Sequence, residues 1–181
     1  MFDFITKYRF LDPAEVLTHA GIPRGAVIAD LGCGNGFYPV ALAKLAGENG
    51  QVYAVDIQDE SLEATSSLAK HQGVKNIYTI KHNLEMPGLQ IPENSCDVAV
   101  LASTLHLCKN KKTVLRETYR VLKTGGRLIV IEWKKSHLPF GPDINRRISE
   151  QEVQELMVQN AFRFVSEMPT DHYHYALIFV K

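Results

Sequence analysis

The stretch that decides the fold is Asp30-Leu31-Gly32-Cys33-Gly34-Asn35-Gly36. It ends a short apolar run, residues 27–31, and it precedes residues 39–45, in which apolar residues recur at helical spacing. A glycine-rich loop between a strand and a helix lets the backbone approach a ligand without Cβ atoms, and the helix presents free N–H groups to it. The stretch therefore predicts a binding site for a nucleotide-like molecule at the end of a strand.

Predicted strands and helices alternate along the chain on both sides of this loop. The strands cover 27–31, 51–57, 76–81, 96–101, 126–132, 162–167 and 175–180, and the helices cover 13–19, 39–45, 59–71, 111–122 and 149–160. Such alternation predicts a parallel sheet with helices on both faces, a doubly wound α/β sandwich. The connection between the last two strands is too short for a parallel crossover. We therefore expect seven strands, mostly parallel, with an antiparallel strand near the C-terminus.

The length of 181 residues and the absence of repeats or linker-like segments predict one domain, residues 1–181. Asp12-Pro13 with Glu15 is typical of a capped helix start, so residues 1–24 are expected to form a helical N-terminal segment. The aromatic residues Phe2, Phe4, Tyr8 and Phe10 are consistent with a lid over the ligand pocket, and a simply packed N-terminus is the favoured alternative.

Charge and cysteine content exclude several classes of protein. Lys plus Arg equals Asp plus Glu at 20 each, which argues against DNA and disfavours RNA as a partner. Cys33, Cys96 and Cys108 show neither a disulfide framework nor zinc-site spacing, which favours a reducing cytoplasm. No apolar stretch approaches the roughly 18 residues of a membrane span. The expected localisation is therefore cytoplasmic.

Asp56 ends the second predicted strand, 56 minus 36 or 20 residues after Gly36. This spacing is typical of an acid that bonds a pair of ribose hydroxyls. The dinucleotide pattern needs a glycine where Phe37 stands, since a bulky side chain there would obstruct the close packing of helix and strand. The residues after Gly36 also lack the lysine of a triphosphate-binding loop. NAD and nucleoside triphosphates are therefore disfavoured.

The segment Arg120-Val121-Leu122-Lys123-Thr124-Gly125-Gly126-Arg127-Leu128 precedes the fifth predicted strand. Together with the Asp-x-Gly-x-Gly-x-Gly loop and the acid closing the second strand, it resembles the class I S-adenosylmethionine-dependent methyltransferases. The resemblance extends from about Leu17 to Lys181, and the motifs are most similar to the small-molecule type 11 group, related to the quinone-biosynthesis C-methyltransferases. It implies a Rossmann-like fold, S-adenosylmethionine as cofactor with S-adenosylhomocysteine as product, and in-line methyl transfer.

The resemblance also implies which residues hold the cofactor. Asp30 and the loop backbone would hold the methionine end, Asp56 the ribose hydroxyls, and Ile57 would pack on adenine. The family commonly has an acid where this chain has Asn83, whose amide oxygen would accept from the adenine amino group while the N–H of Leu84 meets a ring nitrogen. Ala102 and Ser103 would lie beside the methionine amino group and the transferable methyl group. The implied cofactor-binding residues are therefore Asp30, Gly32, Cys33, Gly34, Gly36, Asp56, Ile57, Asn83, Leu84, Ala102 and Ser103.

A base is useful when the methyl acceptor is a carbon acid, a phenol or an amine. His106, after the fourth predicted strand, and Glu132, at the end of the fifth, are the candidate catalytic residues. Structural roles are the favoured alternatives, local packing for His106 and a hydrogen bond to a loop for Glu132. Cys33 is interpreted as a small buried residue. No metal is expected, and His172 and His174, predicted on one face of a hairpin, are interpreted as pocket-rim or solvated residues.

The acceptor pocket is built from loops, so three functions remain open. The first is methylation of a small-molecule acceptor, the second is an RNA or protein methyltransferase with the same cofactor site, and the third is a cofactor-binding module without activity. Basic clusters at 109–112, 134–135 and 146–147 predict solvated surface, with an anionic acceptor as the alternative. A homodimer is the default expectation for the assembly.

Overall fold

The structure is a computed structural model and describes residues 11–181, so the expectations for Phe2, Phe4, Tyr8 and Phe10 lie outside the described residues. The strands are Val27–Leu31 (β1), Gln51–Asp56 (β2), Ile77–Lys81 (β3), Cys96–Ala102 (β4), Leu122–Trp133 (β5), Arg163–Met168 (β6) and His174–Val180 (β7). The α-helices are Pro13–Thr18 (α1), Phe37–Ala46 (α2), Asp59–His71 (α3), Lys111–Val121 (α4) and Glu150–Gln159 (α5), and a 3₁₀ turn covers Ile144–Arg146.

The seven strands form one sheet in the order β3-β2-β1-β4-β5-β7-β6. The pairs among β1 to β5 are parallel, and β7 is antiparallel to both β5 and β6. The predicted fold class, mostly parallel with an antiparallel strand near the C-terminus, is thereby confirmed. The chain order reverses between β1 and β4, and in open sheets of this kind ligands bind beyond the carboxyl ends of the strands at that point.

Each face of the sheet carries its own apolar cluster, because side chains alternate along every strand. Ala29 and Leu31 belong to one cluster, whereas Ile28 belongs to the other. The same alternation places Asp30 on the face of Ile28, which is covered by α2. Complete burial of one large aliphatic side chain contributes about 2 kcal/mol, so the two clusters hold β1 firmly and fix the position of the loop after it.

The helix starts follow the predicted capping chemistry with one difference. The Asp12 side chain accepts from the N–H of Ala14, and Ser149 with Glu152 forms the predicted capping box. Helix α2 begins at Phe37, two residues earlier than the periodicity predicts, because Gly36 takes a left-handed conformation with φ of 87° and turns the chain into the helix at once. The loop therefore passes directly into a helix N-terminus.

Arg127 of β5 ties the segment after α1 to the sheet, since its guanidinium donates to the carbonyls of Ala20 and Gly21, each at 2.7 Å. This contact holds the C-terminal end of α1 near the amino end of the β4–β5 pairing, where Arg127 lies opposite Val98. Within residues 11–181, no helix is both long enough and apolar enough to span a membrane.

Candidate functional site

A cavity of about 930 Å³ opens beyond the carboxyl ends of β1, β2 and β4. It brings together nine of the eleven predicted cofactor-binding residues, and the other two, Asp30 and Gly36, are not part of its described lining. Its described lining is Leu11, Asp12, Pro13, Gly32, Cys33, Gly34, Asn35, Phe37, Tyr38, Asp56, Ile57, Gln58, Ser61, His82, Asn83, Leu84, Glu85, Ala102, Ser103, Thr104, Leu107 and Cys108.

The three glycines of the loop are required for different reasons. All have positive φ, but a Cβ atom on Gly32 would meet the Thr104 side chain at 2.4 Å, and one on Gly36 would meet the Thr65 backbone at 2.7 Å. Gly34 has open space around it. Helix α2 has no side-chain cap, so its first N–H groups are free to bind an electron-rich group. The loop is therefore a cradle that larger residues would fill.

Asp56 holds the loop and still has capacity to bind a ligand. One of its carboxylate oxygens accepts from the N–H of Gly34 and the other from the N–H of Gln58, both at 3.0 Å. A carboxylate oxygen accepts about two hydrogen bonds, so each oxygen retains one site facing the cavity. Two such sites on neighbouring oxygens suit the adjacent hydroxyls of a ribose.

Asp30 is buried without a partner. Its residue is 1% exposed, and neither carboxylate oxygen has a hydrogen-bond partner within residues 11–181. Burial, followed by the charge of Asp56, raises the pKa of Asp30 to about 8. A buried polar group left unpaired costs about 1–3 kcal/mol, and a cation beside it would supply both the hydrogen bonds and the opposite charge. The ammonium group at the methionine end of S-adenosylmethionine fits this requirement.

The far end of the cavity contains the residues predicted to contact adenine. The Asn83 side-chain oxygen accepts from the N–H of Glu85 at 3.0 Å, which fixes the amide and leaves one lone pair on that oxygen. Ile57 is 53% exposed, so a large apolar side chain faces the cavity without a packing partner of its own size. An aromatic ring bound between Ile57 and the Asn83 loop would cover it.

Ser103 follows β4 in a left-handed backbone conformation, with φ of 51°. Its N–H donates to the carbonyl of Ile131 at 2.8 Å, which holds the strand end in place. A residue other than glycine seldom adopts this conformation, and such strain is concentrated at functional sites. The strained turn presents the Ser103 side chain to the middle of the cavity.

The two candidate catalytic residues are in direct contact. Nδ1 of His106 lies 2.8 Å from a carboxylate oxygen of Glu132, whose other oxygen accepts from the His106 backbone N–H at 3.2 Å. Their side chains are 5% and 1% exposed, and neither residue belongs to the described lining of the cavity, which includes the neighbouring Thr104 and Leu107. A carboxylate on Nδ1 fixes the tautomer in which Nε2 carries the free lone pair, so the pair has the arrangement of an oriented general base. The sequence named both residues but did not predict this contact.

Sequence reasoning missed two residues that shape the site. Thr65 of α3 donates to the carbonyl of Gly34 at 3.1 Å, and Tyr38 lines the cavity from the first turn of α2. Phe37, whose bulk disfavours the dinucleotide pattern, is 63% exposed at the cavity. The close approach is made by Gly36 instead, against Thr65.

Cys33 and the two histidines near the C-terminus also have defined environments. Burial, and then the charge of Asp30, raises the pKa of the Cys33 thiol to about 12, so it remains protonated. The expectation that His172 and His174 share a face is wrong, because β7 begins only at His174: His172 is exposed in the loop, and His174 is buried with its Nδ1 2.8 Å from Asp171. Among residues 11–181, no group of three or more His, Cys, Asp or Glu side chains could hold a metal ion.

Arg147 is not part of a solvated basic cluster, because its residue is 5% exposed. The guanidinium donates to four backbone carbonyls at 2.7 to 3.1 Å, those of Lys134, Ser136, Phe140 and Pro142. It also lies 5.8 Å from the centre of the Trp133 ring. One buried cation thus organises the loop that follows β5.

Comparison with known proteins points in the same direction as this geometry. A family profile described as a methyltransferase domain matches residues 22–174. The ubiquinone/menaquinone biosynthesis C-methyltransferase UbiE of Citrobacter koseri is 35% identical over 117 residues, which cover 64% of this chain and 46% of that protein. The corresponding protein of Pseudoalteromonas translucida is 34% identical over 122 residues, covering 67% and 48%. The matched region therefore spans a little under half the length of these relatives.

Two solved structures match nearly the whole chain. A SAM-dependent methyltransferase from Aquifex aeolicus is 30% identical with a TM-score of 0.87, covering 94% of this chain and 90% of that one. A putative type 11 methyltransferase from Sulfolobus solfataricus is 27% identical with a TM-score of 0.76, covering 96% and 94%.

Proposed function

The chain belongs to the methyltransferase domain family and is an S-adenosylmethionine-dependent methyltransferase, and from this premise we propose that it methylates a ring carbon of a small, uncharged, oxygenated aromatic molecule. The observation that carries the proposal is the buried contact between His106 and Glu132 at the ends of β4 and β5. The UbiE relatives are C-methyltransferases of quinone biosynthesis, which supports the choice of carbon as the methylated atom.

The donor site is assigned from cavity-lining groups that can still form hydrogen bonds and from Asp30, which is buried outside the described lining. Asp56 would accept from both ribose hydroxyls, Asp30 would take the methionine ammonium, and the N-terminus of α2 would face the methionine carboxylate. Asn83 and the N–H of Leu84 would bind the adenine edge. S-adenosylmethionine supplies an electrophilic methyl group on a positively charged sulfur.

The acceptor side needs alignment and removal of a proton. In methylation of an aromatic ring carbon, the carbon attacks the methyl group in line with the breaking carbon–sulfur bond, and the ring then loses the hydrogen from that carbon as a proton. Nε2 of His106 would take this proton, and Glu132 would stabilise the resulting imidazolium through Nδ1. The products are S-adenosylhomocysteine, the C-methylated ring and one proton.

The charge of the cavity disfavours the anionic acceptor that the basic clusters left open. The lining within residues 11–181 includes the carboxylates of Asp12, Asp56 and Glu85 but neither lysine nor arginine. Lys135 is instead paired with Glu152 on the surface. An uncharged small molecule therefore fits the described cavity better than a phosphate backbone or an acidic metabolite.

The test is methyl transfer from S-adenosylmethionine with a labelled methyl group to 1,4-dihydroxynaphthalene and to a panel of phenols and hydroquinones. We expect a labelled product whose methyl group is bound to a ring carbon, identified by mass spectrometry and NMR. His106→Asn should lower kcat by a factor of about 100, whereas His137→Asn, at an exposed histidine in the loop after β5, should not change it. An O-methylated product, or full activity of the His106 variant, would contradict the proposal.

We propose a cytoplasmic location, and the state of the thiols supports it. Cys33, Cys96 and Cys108 are all free and buried, so none is placed to form a disulfide with another chain at the surface. This supports a cytoplasmic protein as part of the same proposal.

A further inference from the structure

Thr65 of α3 is a buried polar residue to which the donor site gives no role. The residue is 0% exposed and does not belong to the described lining of the cavity. Its hydroxyl donates to the carbonyl of Gly34 at 3.1 Å, across 31 residues of sequence. A helical serine or threonine commonly donates to a carbonyl in the preceding turn of its own helix, as the neighbouring Ser66 does to Leu62 at 2.9 Å. The Thr65 hydroxyl instead binds the glycine-rich loop.

Gly34 is held by hydrogen bonds and not by packing. It has a φ of 50°, and a Cβ atom added to it would meet nothing within 4 Å, so neighbouring atoms do not restrict its backbone. Its N–H donates to Asp56 at 3.0 Å, and its carbonyl accepts from Thr65 at 3.1 Å. Both polar groups of this one residue are therefore held, one by the end of β2 and the other by α3.

The contact between α3 and the loop includes two further loop residues. A Cβ atom on Gly36 would meet Cα of Thr65 at 2.7 Å, so the backbones of helix and loop lie close together there. The thiol of Cys33 lies 3.6 Å from the Thr65 hydroxyl oxygen. Burial raises the pKa of this thiol to about 12, so it keeps its proton and can donate to that oxygen while the hydroxyl donates to Gly34. Thr65 is thus the residue at which α3 holds the loop.

We infer that Thr65 is a positioning residue for the cofactor, whose hydroxyl holds the Gly34 carbonyl so that the loop has its ligand-binding shape before S-adenosylmethionine arrives. This rests on the proposed function, because it takes the loop to be part of the donor site, but it does not depend on the acceptor. The Gly34 N–H binds the same Asp56 carboxylate that would accept from the ribose hydroxyls, so displacement of Gly34 would also disturb that carboxylate. A preorganised loop loses less conformational entropy on binding. Thr65 would therefore raise the cofactor affinity without touching the cofactor.

The experiment compares variants that differ by the hydroxyl group. Thr65→Val keeps the branched shape and removes the hydroxyl, and Thr65→Ala differs from Thr65→Ser only by the oxygen. Each full-length protein is titrated with S-adenosylhomocysteine by calorimetry. One hydrogen bond between neutral groups is worth roughly a fivefold change in affinity, so Thr65→Val should bind about fivefold more weakly than the wild type, and Thr65→Ala about fivefold more weakly than Thr65→Ser. Ser66→Ala, which removes a hydroxyl bonded to Leu62 of the same helix, should bind as the wild type does.

A second measurement separates positioning from a general loosening of the fold. The NMR resonance of the Gly34 carbonyl carbon reports the hydrogen bond that this carbonyl accepts. It should shift in Thr65→Val and Thr65→Ala, and it should stay near the wild-type position in Thr65→Ser and Ser66→Ala. Thermal midpoints without ligand show which variants are folded. If Thr65→Val does not fold, the comparison of Thr65→Ala with Thr65→Ser decides.

Two outcomes overturn the inference alone. The first is an affinity for S-adenosylhomocysteine that does not change when the hydroxyl is removed, although Asp56→Asn weakens binding. The second is a Gly34 carbonyl resonance that does not move, because the bond would then not form in solution. Failure of the wild type to bind S-adenosylhomocysteine would contradict the donor site itself, and the role of Thr65 with it.

Discussion

Replacement of Asp30 by asparagine should stabilise the protein while removing its ability to bind the cofactor. The Asp30 carboxyl has a pKa of about 8 in the folded protein, against 3.8 as its ordinary value. Between these two values the folded state keeps a proton that the unfolded state has released. Stability is therefore highest below about pH 4, falls as the pH rises by at most about 1.4 kcal/mol per unit, and levels off above about pH 8.

The pH range between these two pKa values sets the difference in stability between the variant and the wild type. At pH 7 the carboxyl costs about 4 kcal/mol relative to a group that does not titrate. The protonated carboxyl and an asparagine amide in the same buried position are both unpaired, at about 1–3 kcal/mol each, so these costs cancel and the variant should be more stable than the wild type by about 4 kcal/mol at pH 7. Because the amide does not titrate, the stability difference should grow by about 4 kcal/mol from pH 5 to pH 8.

Urea unfolding of both proteins at pH 5, 6, 7 and 8 measures this difference, and the titrations of all other groups cancel in the subtraction. Asp97→Asn is the matched control: the pKa of Asp97 is lowered, despite opposing partial burial, by its bonds to Lys123 and to the N–H of Val27, so its difference should stay flat over this range. A flat difference for Asp30→Asn as well would refute the reasoning. Calorimetry should show at least tenfold weaker binding of S-adenosylhomocysteine to Asp30→Asn at pH 8, where the wild-type carboxylate pairs with the ammonium.

Three further predictions concern the loop, the ribose site and the loop after β5. Gly36→Ala should lower the free energy of unfolding, measured by urea titration, by about 3 kcal/mol, because the position combines a left-handed φ with a backbone contact at 2.7 Å from an added Cβ. Gly34→Ala has open space around it and should lower the free energy of unfolding by only about 1 kcal/mol. Asp56→Asn should lower the binding affinity for S-adenosylhomocysteine, measured by calorimetry, more than tenfold. Asp59→Asn, at an exposed carboxylate beside Lys81, should leave that affinity unchanged. Arg147→Lys should lower the free energy of unfolding by about 2 kcal/mol, because backbone carbonyls lose their donor, and it should speed proteolysis within residues 134–147. Unchanged resistance to proteolysis would show that the four hydrogen bonds do not hold that loop.

The fold was predictable because the determining signals are local. The glycines of the loop, the Ser149 capping box and the short connection before β7 each constrain the chain within a few residues. The exposed position of Phe37 was not predictable in this way, since it depends on Gly36 starting the helix immediately. The secondary-structure elements could thus be predicted from local sequence patterns, whereas the direction of the Phe37 side chain at the start of α2 could not.

The site was predicted as separate residues and not as contacts. His106 and Glu132 are 26 residues apart, and their pairing depends on β4 lying beside β5 with Ala102 opposite Ile131. Tyr38 carried no motif signal at all, and it lines the cavity because α2 begins directly after the loop at the end of β1. Strand order creates these contacts, and a one-dimensional pattern that indicates strands does not contain the distances between their ends.

Asp30 and Asp56 show how the same chemical group serves opposite purposes in one site. Asp56 is held by two backbone N–H groups, so it is ready to accept from a ligand without a cost to the folded protein. Asp30 is buried without a partner, and its charge is suppressed in the ligand-free protein. A bound ammonium would restore that charge and release a proton. Cofactor affinity should therefore rise with pH up to about 8 and stability without cofactor should fall over the same range, so each change should mirror the other.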